Sequence, residues 1–118
     1  MRFTISNALD TVTAGIGVGQ SLSGDLALGG LRLAAIQMPA AWTAASLTFQ
    51  ASVDGAVWSN LYDAGGVELA ISAASNRLIL ADLAQFAGLP YLRVRSGTAA
   101  SPVNQAADRS LNLILRSV

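Results

Sequence analysis

The chain predicts an all-β protein: an antiparallel β-sandwich or jelly roll with at most one or two short helical turns. Three observations predict it. Apolar and polar residues alternate with a period of two in several short segments. Gly, Asp, Asn, Ser or Pro separates those segments. Helical periodicity is nearly absent. A strand with one dry and one wet face suits this alternation, and antiparallel sheets supply such strands. Many short strands punctuated by turns indicate a sandwich or jelly roll.

Taken in order, residues 2–5 and 11–14 are the first strand candidates, followed by the glycine-rich GIGVG at 15–19. No strong helix follows GIGVG and no GK[ST] completes it, so it reads as a mobile, glycine-rich connection and not as a phosphate loop. Residues 1–20 therefore read as an N-terminal arm and its glycine-rich connection, with 1–10 able to reach a neighbouring subunit. Residues 31–36 form the next candidate. MPAAW at 38–42 is a turn or a brief helix start, because Pro39 disfavours a strand. Leu47, Phe49 and Ala51 then alternate with Thr48, Gln50 and Ser52.

Asp54-Gly55 suits a tight hairpin connection, since glycine takes positive φ freely and aspartate tolerates it. Trp58 is then expected to return over the core that Phe49 enters, anchoring the hairpin. Residues 58–62 continue that strand. Val67, Leu69 and Ile71 alternate with Glu68, Ala70 and Ser72, and residues 77–80 are a further candidate. Asp82 is an N-cap candidate and Gly88 a stop, bracketing one or two helical turns. Leu92 and Val94 sit between Tyr91, Arg93 and Arg95, and 99–108 is the longest loop-like insertion. Leu111, Leu113 and Leu115 alternate with Asn112, Ile114 and Arg116. No repeat or linker divides the chain, so residues 1–118 read as one domain.

At 118 residues, one domain buries roughly two-thirds of its unfolded surface. The chain has no cysteine and no histidine, which removes thiolate chemistry, disulfides and the usual neutral-pH base. Every cation is arginine, so lysine Schiff bases and a P-loop lysine are excluded too. Only 12% of residues are charged, against about 25% in an average soluble domain. Net charge is zero and mean hydropathy is +0.50, a balance that favours association. No basic stripe supports nucleic-acid binding. The longest uncharged run, 33–53, contains Gln37, Pro39, Thr43 and Gln50 and is too polar for a membrane helix. MRFTISNALD lacks the apolar core of a signal peptide. The expected protein is made in a host cytoplasm and needs no cofactor or metal.

FQASVDGAVWSNLYD at 49–63 resembles the strand–Ser-x-Asp-Gly-x-x-Trp hairpin of the discoidin and galactose-binding-like β-sandwich superfamily. YLRVR at 91–95 resembles an arginine-bearing strand of those domains, with 111–115 as a closing strand. The stretches LGGLRLAAIQMPAAWTAASLTFQASVDG and PYLRVRSGTAASPVNQAADRSLNLIL are also similar to small proteins of tailed bacteriophages and phage-like elements of GC-rich bacteria. The resemblance implies a discoidin-like sandwich and a virion component. It also implies that Asp54 and Asp63 would suit calcium, whereas the residues alone favour turn and cap roles.

The candidate ligand or interface residues are Trp42, Tyr91, Arg93, Arg95, Arg116 and Ile114. Trp42 would stack on a sugar ring or lie buried at the sandwich end or in a subunit contact. Arg93, Arg95 and Arg116, placed on one face of neighbouring strands, would grip a sugar acid or a partner carboxylate with Tyr91. Paired to nearby acids, they would be a solvated outer face. Ile79 and Ile114, on the polar side of their strands, would meet another chain. Phe49, Asp54, Gly55 and Trp58 are structural hairpin residues.

The expected function is a structural bacteriophage virion protein: a capsid decoration, a head spike or fibre, or a tail accessory subunit. It would form homo-oligomers and bind other virion proteins. The alternative is a module that binds host-surface glycan through Trp42 and Arg93. An enzyme ranks last, because a Ser-His-Asp triad is impossible without histidine.

Overall fold

The computed structural model describes residues 9–117. The strand candidate at 2–5 and residues 1–8 of the expected arm lie outside them. Among the described residues eight strands form: β1 (Leu9–Ile16), β2 (Leu26–Ala27), β3 (Arg32–Gln37), β4 (Leu47–Ser52), β5 (Ser59–Asn60), β6 (Leu78–Leu80), β7 (Tyr91–Ser96) and β8 (Arg109–Arg116). They build two four-stranded sheets, β1-β8-β3-β6 and β2-β7-β4-β5, with every pairing antiparallel. The all-β sandwich is therefore as expected. The helical content of the described residues is one 3-10 turn at Leu83–Phe86, which Asp82 caps by accepting the Ala84 N–H. No helix among the described residues is long and apolar enough to cross a membrane.

Side-chain parity sets the layers. On β8, Leu111, Leu113 and Leu115 point between the sheets and are fully buried, while Asn112, Ile114 and Arg116 face outward. Leu33 and Ile36 of β3 and Ala14 and Ile16 of β1 join them. Leu47 and Phe49 of β4, with Leu92 and Val94 of β7, close the core from the other sheet. The 3-10 turn plugs the open side with Phe86, whose ring meets Phe49 edge-on at 5.1 Å. Each such large apolar side chain contributes about 1.5–3 kcal/mol by leaving water. At the end of β7, Gly97 turns at φ +89, and a Cβ there would lie 2.6 Å from the Ser101 carbonyl oxygen. Only glycine lets the chain turn so closely.

Four expectations change. Leu9 and Asp10 belong to β1 and pair with Arg116 and Leu115 of the chain's own β8, so the described part of the arm is an integral edge strand. GIGVG is pinned as well: Gly19 donates its N–H to the Gln105 carbonyl and Val18 donates to Asp108 Oδ1. The 67–71 run is bridged and not laddered, with Glu68 opposite Tyr62 and Ile71 opposite Leu47. Ile79 points inward onto the core, so Leu78 and Leu80 take the outer face. β2 was not foreseen, since two residues inside GDLALGG cannot establish a period.

Candidate functional site

The outer face of β7 and β4 carries the arginines. Register places Arg95 opposite Thr48, Arg93 opposite Gln50 and Tyr91 opposite Ser52. Arg95 is only 6% exposed and fully engaged. Its Nε donates to Thr48 Oγ1 at 3.0 Å, Nη1 to Asn60 Oδ1 at 2.9 Å and Nη2 to Glu68 Oε2 at 3.0 Å. The same Glu68 oxygen accepts the Ala99 N–H at 3.1 Å, tying the β7–β8 loop to this pair. Burying a guanidinium is tolerable only with this degree of pairing. Arg93 donates through Nε to Asp25 Oδ1 at 2.6 Å and through Nη1 to Gln50 Oε1 at 3.2 Å. Its guanidinium lies 3.9 Å from the centroid of Trp58.

That contact corrects the reading of Trp58. Ser59 pairs with Ala51, an inward position, so Trp58 and Asn60 face outward. The tryptophan stacks on an arginine outside the sheet and does not enter the core beside Phe49. Parity was lost because the connection is longer than a two-residue turn. Asp54 Oδ1 accepts N–H donors from Ala56 at 2.8 Å and Val57 at 3.0 Å, and the Ser52 hydroxyl at 3.0 Å. These bonds favour the charged carboxylate, led by the Val57 N–H, and hold the Asp54 pKa below its ordinary value of 3.8. Gly55 turns at φ +79 against the Tyr91 ring, which would lie 3.4 Å from an added Cβ.

Arg116 does not neighbour Arg93 and Arg95. It lies on β8, in the opposite sheet, directly across from Arg32 of β3. Trp42 packs partly against the core, and its indole N–H donates to the Ala45 carbonyl at 3.1 Å, so it anchors its own loop. Sequence reasoning missed Gln105, which is 1% exposed in the 99–108 loop. Its Nε2 donates to the Thr43 carbonyl at 3.0 Å and Ser96 Oγ at 2.7 Å. Its Oε1 accepts the Thr43 N–H at 2.9 Å and Arg109 Nε at 3.1 Å. No periodic signal marks a glutamine in a polar loop.

Apart from Asp25 and Glu68, which pair with arginines, the carboxylates accept backbone N–H groups. Asp63 accepts the N–H groups of Gly65 and Val67, and among the described residues no three acids gather as a metal site. A cleft of about 340 Å³ opens beside the 3-10 turn, lined by Phe49, Leu69, Ile71, Ile79, Asp82 and Phe86. Its one carboxylate is the helical cap, so the cleft presents no acid–base pair.

The outer face of the β1-β8-β3-β6 sheet is different. Across it run Leu80, Ala35, Ile114 and Thr11 in one cross-strand row. Leu78 and Leu80 are 63% and 84% exposed on the edge strand β6. Ile114, expected on an outward face, is there and half-buried among its neighbours.

The fold and its surfaces define a small antiparallel β-sandwich with one bonded polar face and one partly apolar face. Among solved structures the chain is similar to the SPBc2 prophage-derived protein YomS, with a TM-score of 0.63, 15% identity and 99% of each chain covered. At that identity the likeness is one of fold. No protein-family model matches the chain, and no curated protein matches it.

Proposed function

We propose that the chain is a structural protein of a bacteriophage particle, a discoidin-like sandwich that works by protein–protein assembly and catalyses no reaction. The observation that carries this reading is the outer face of the β1-β8-β3-β6 sheet, where Leu78 and Leu80 stand exposed on the edge strand β6, in line with Ile114 across β3. Exposed apolar residues on a sheet edge mark a contact surface. The likeness to a prophage-derived protein over 99% of both chains supports the setting. Capsid decoration, a head spike or a tail accessory subunit would each repeat a modest contact many times, and repetition supplies avidity. Homo-oligomers and contacts with other virion proteins follow from the same reading. No observation favours the glycan alternative, because Trp42 and Arg93 already have partners.

The test is comigration. Particles produced with the tagged chain are banded on a density gradient and the fractions are probed for it. A fixed ratio of the chain to the major particle protein, retained after high-salt washing, supports the proposal. A chain confined to the particle-free fraction would refute it.

A further inference from the structure

We infer that Arg32 and Arg116 form a two-guanidinium clamp for a carboxylate presented by a partner protein. The two residues are direct cross-strand partners on the inner strands β3 and β8. Leu33 and Leu115, the adjacent pair, are fully buried in the core, so both arginines point to the outer face. Opposed like charges at about 5 Å between Cβ atoms repel each other. Arg116 Nε is buried and has no hydrogen-bond partner. Neither arginine has an ion pair among the described residues, in contrast to Arg93 and Arg95. A guanidinium donor shielded from water beside a second cation is the chemistry of an anion site.

No described side-chain carboxylate of the chain supplies the anion. Its seven side-chain carboxylates, all within the described residues, are engaged elsewhere. Asp25 and Glu68 pair with Arg93 and Arg95. Asp54, Asp63 and Asp82 accept backbone N–H groups in their own turns, Asp10 accepts the Thr11 N–H within β1, and Asp108 accepts the Val18 N–H of the connection after β1. Residues 1–8 contain no acid. The two side chains are the donors here, and a carboxylate matches the bidentate fork of a guanidinium. Ile114 and Ala35 follow on the same face, so the acid would come with an apolar neighbour seated beside them. The inference rests on the assembly reading and names the chemistry of its contact.

Arginine Nε–Hε NMR of the full chain tests it, with the Arg116 peak followed during titration with acetyl-Glu-Leu-amide. The expected result is a saturable shift, at least tenfold weaker with acetyl-Gln-Leu-amide and at least tenfold weaker in Arg32→Gln. No saturable shift, an equal response to the glutamine peptide, or equal saturation by inorganic phosphate would each overturn the clamp. A shift produced by concentrating the protein alone would replace the partner with a second copy and overturn it too. Arg116→Gln is expected to melt no lower than wild type, because it removes an unpaired charge. A large fall in Tm would make Arg116 a structural residue instead. In the particle experiment, Arg32→Gln binding as well as wild type refutes the clamp alone. Wild type that fails to comigrate refutes the assembly reading, and the peptide titration still judges the clamp.

Discussion

The side-chain amide of Gln105 is used on both ends, and its backbone is used as well. Its N–H donates to the Gln20 carbonyl and its carbonyl accepts from Gly19, so one residue joins the connections after β1, β3 and β7. Removing the amide strands the Thr43 N–H and part of the Arg109 guanidinium in a nearly dry site. An unsatisfied buried group costs about 1–3 kcal/mol, and a charged donor sits at the upper end. Gln105→Ala is therefore expected to lower stability by about 2–3 kcal/mol in urea unfolding. A change under about 0.5 kcal/mol would mean that water replaces the amide at no cost. This residue was illegible in the sequence because a satisfied amide obeys no period. Asp54-Gly55 was legible because its turn chemistry is local: a carboxylate collects the N–H groups just ahead of it.

At the scale of elements, the strands that were legible are those with one face in the core over a full alternation. β4, β7 and β8 qualify, since each has at least two core residues separated by outward ones. β6 was placed but inverted. Leu78, Ile79 and Leu80 are all apolar, so hydropathy gave no parity, and the register against β3 decided it: Ile79 pairs with the buried Ile36. Trp58 failed for a related reason, because the length of the preceding loop sets which face it takes. The inversion makes a paired prediction. Ile79→Ala is expected to cost about 1–3 kcal/mol, below the range for a fully buried site because Ile79 is only half-buried. Leu80→Ser, at a position 84% exposed, should change stability by less than about 0.5 kcal/mol while weakening particle binding. Equal costs at the two positions would put the edge strand the other way round.

For the whole molecule, the issue is whether β1 is an appendage or part of the sandwich. The glycines at 15–19 predict an arm free to reach another subunit, but composition says nothing of which strand the preceding residues pair with. β1 instead pairs with β8 through all eight residues, and Ala14 and Ile16 are essentially inaccessible to water. Val12 packs partly against the same core. Together these side chains contribute about 4 kcal/mol of apolar burial. A whole domain is stable by only about 5–15 kcal/mol. Removing β1 also uncovers Leu111 and the ladder groups of β8, turning a central strand into an exposed apolar edge. A chain lacking residues 1–16 is therefore expected to lose its cooperative melt and its β-sheet circular dichroism, and to aggregate on expression. If that chain instead stays monomeric and melts within a few degrees of wild type, β1 is dispensable and strand exchange between copies regains its footing. The contacts that build the particle must then be sought along β8, not on the face that Leu80 and Ile114 share.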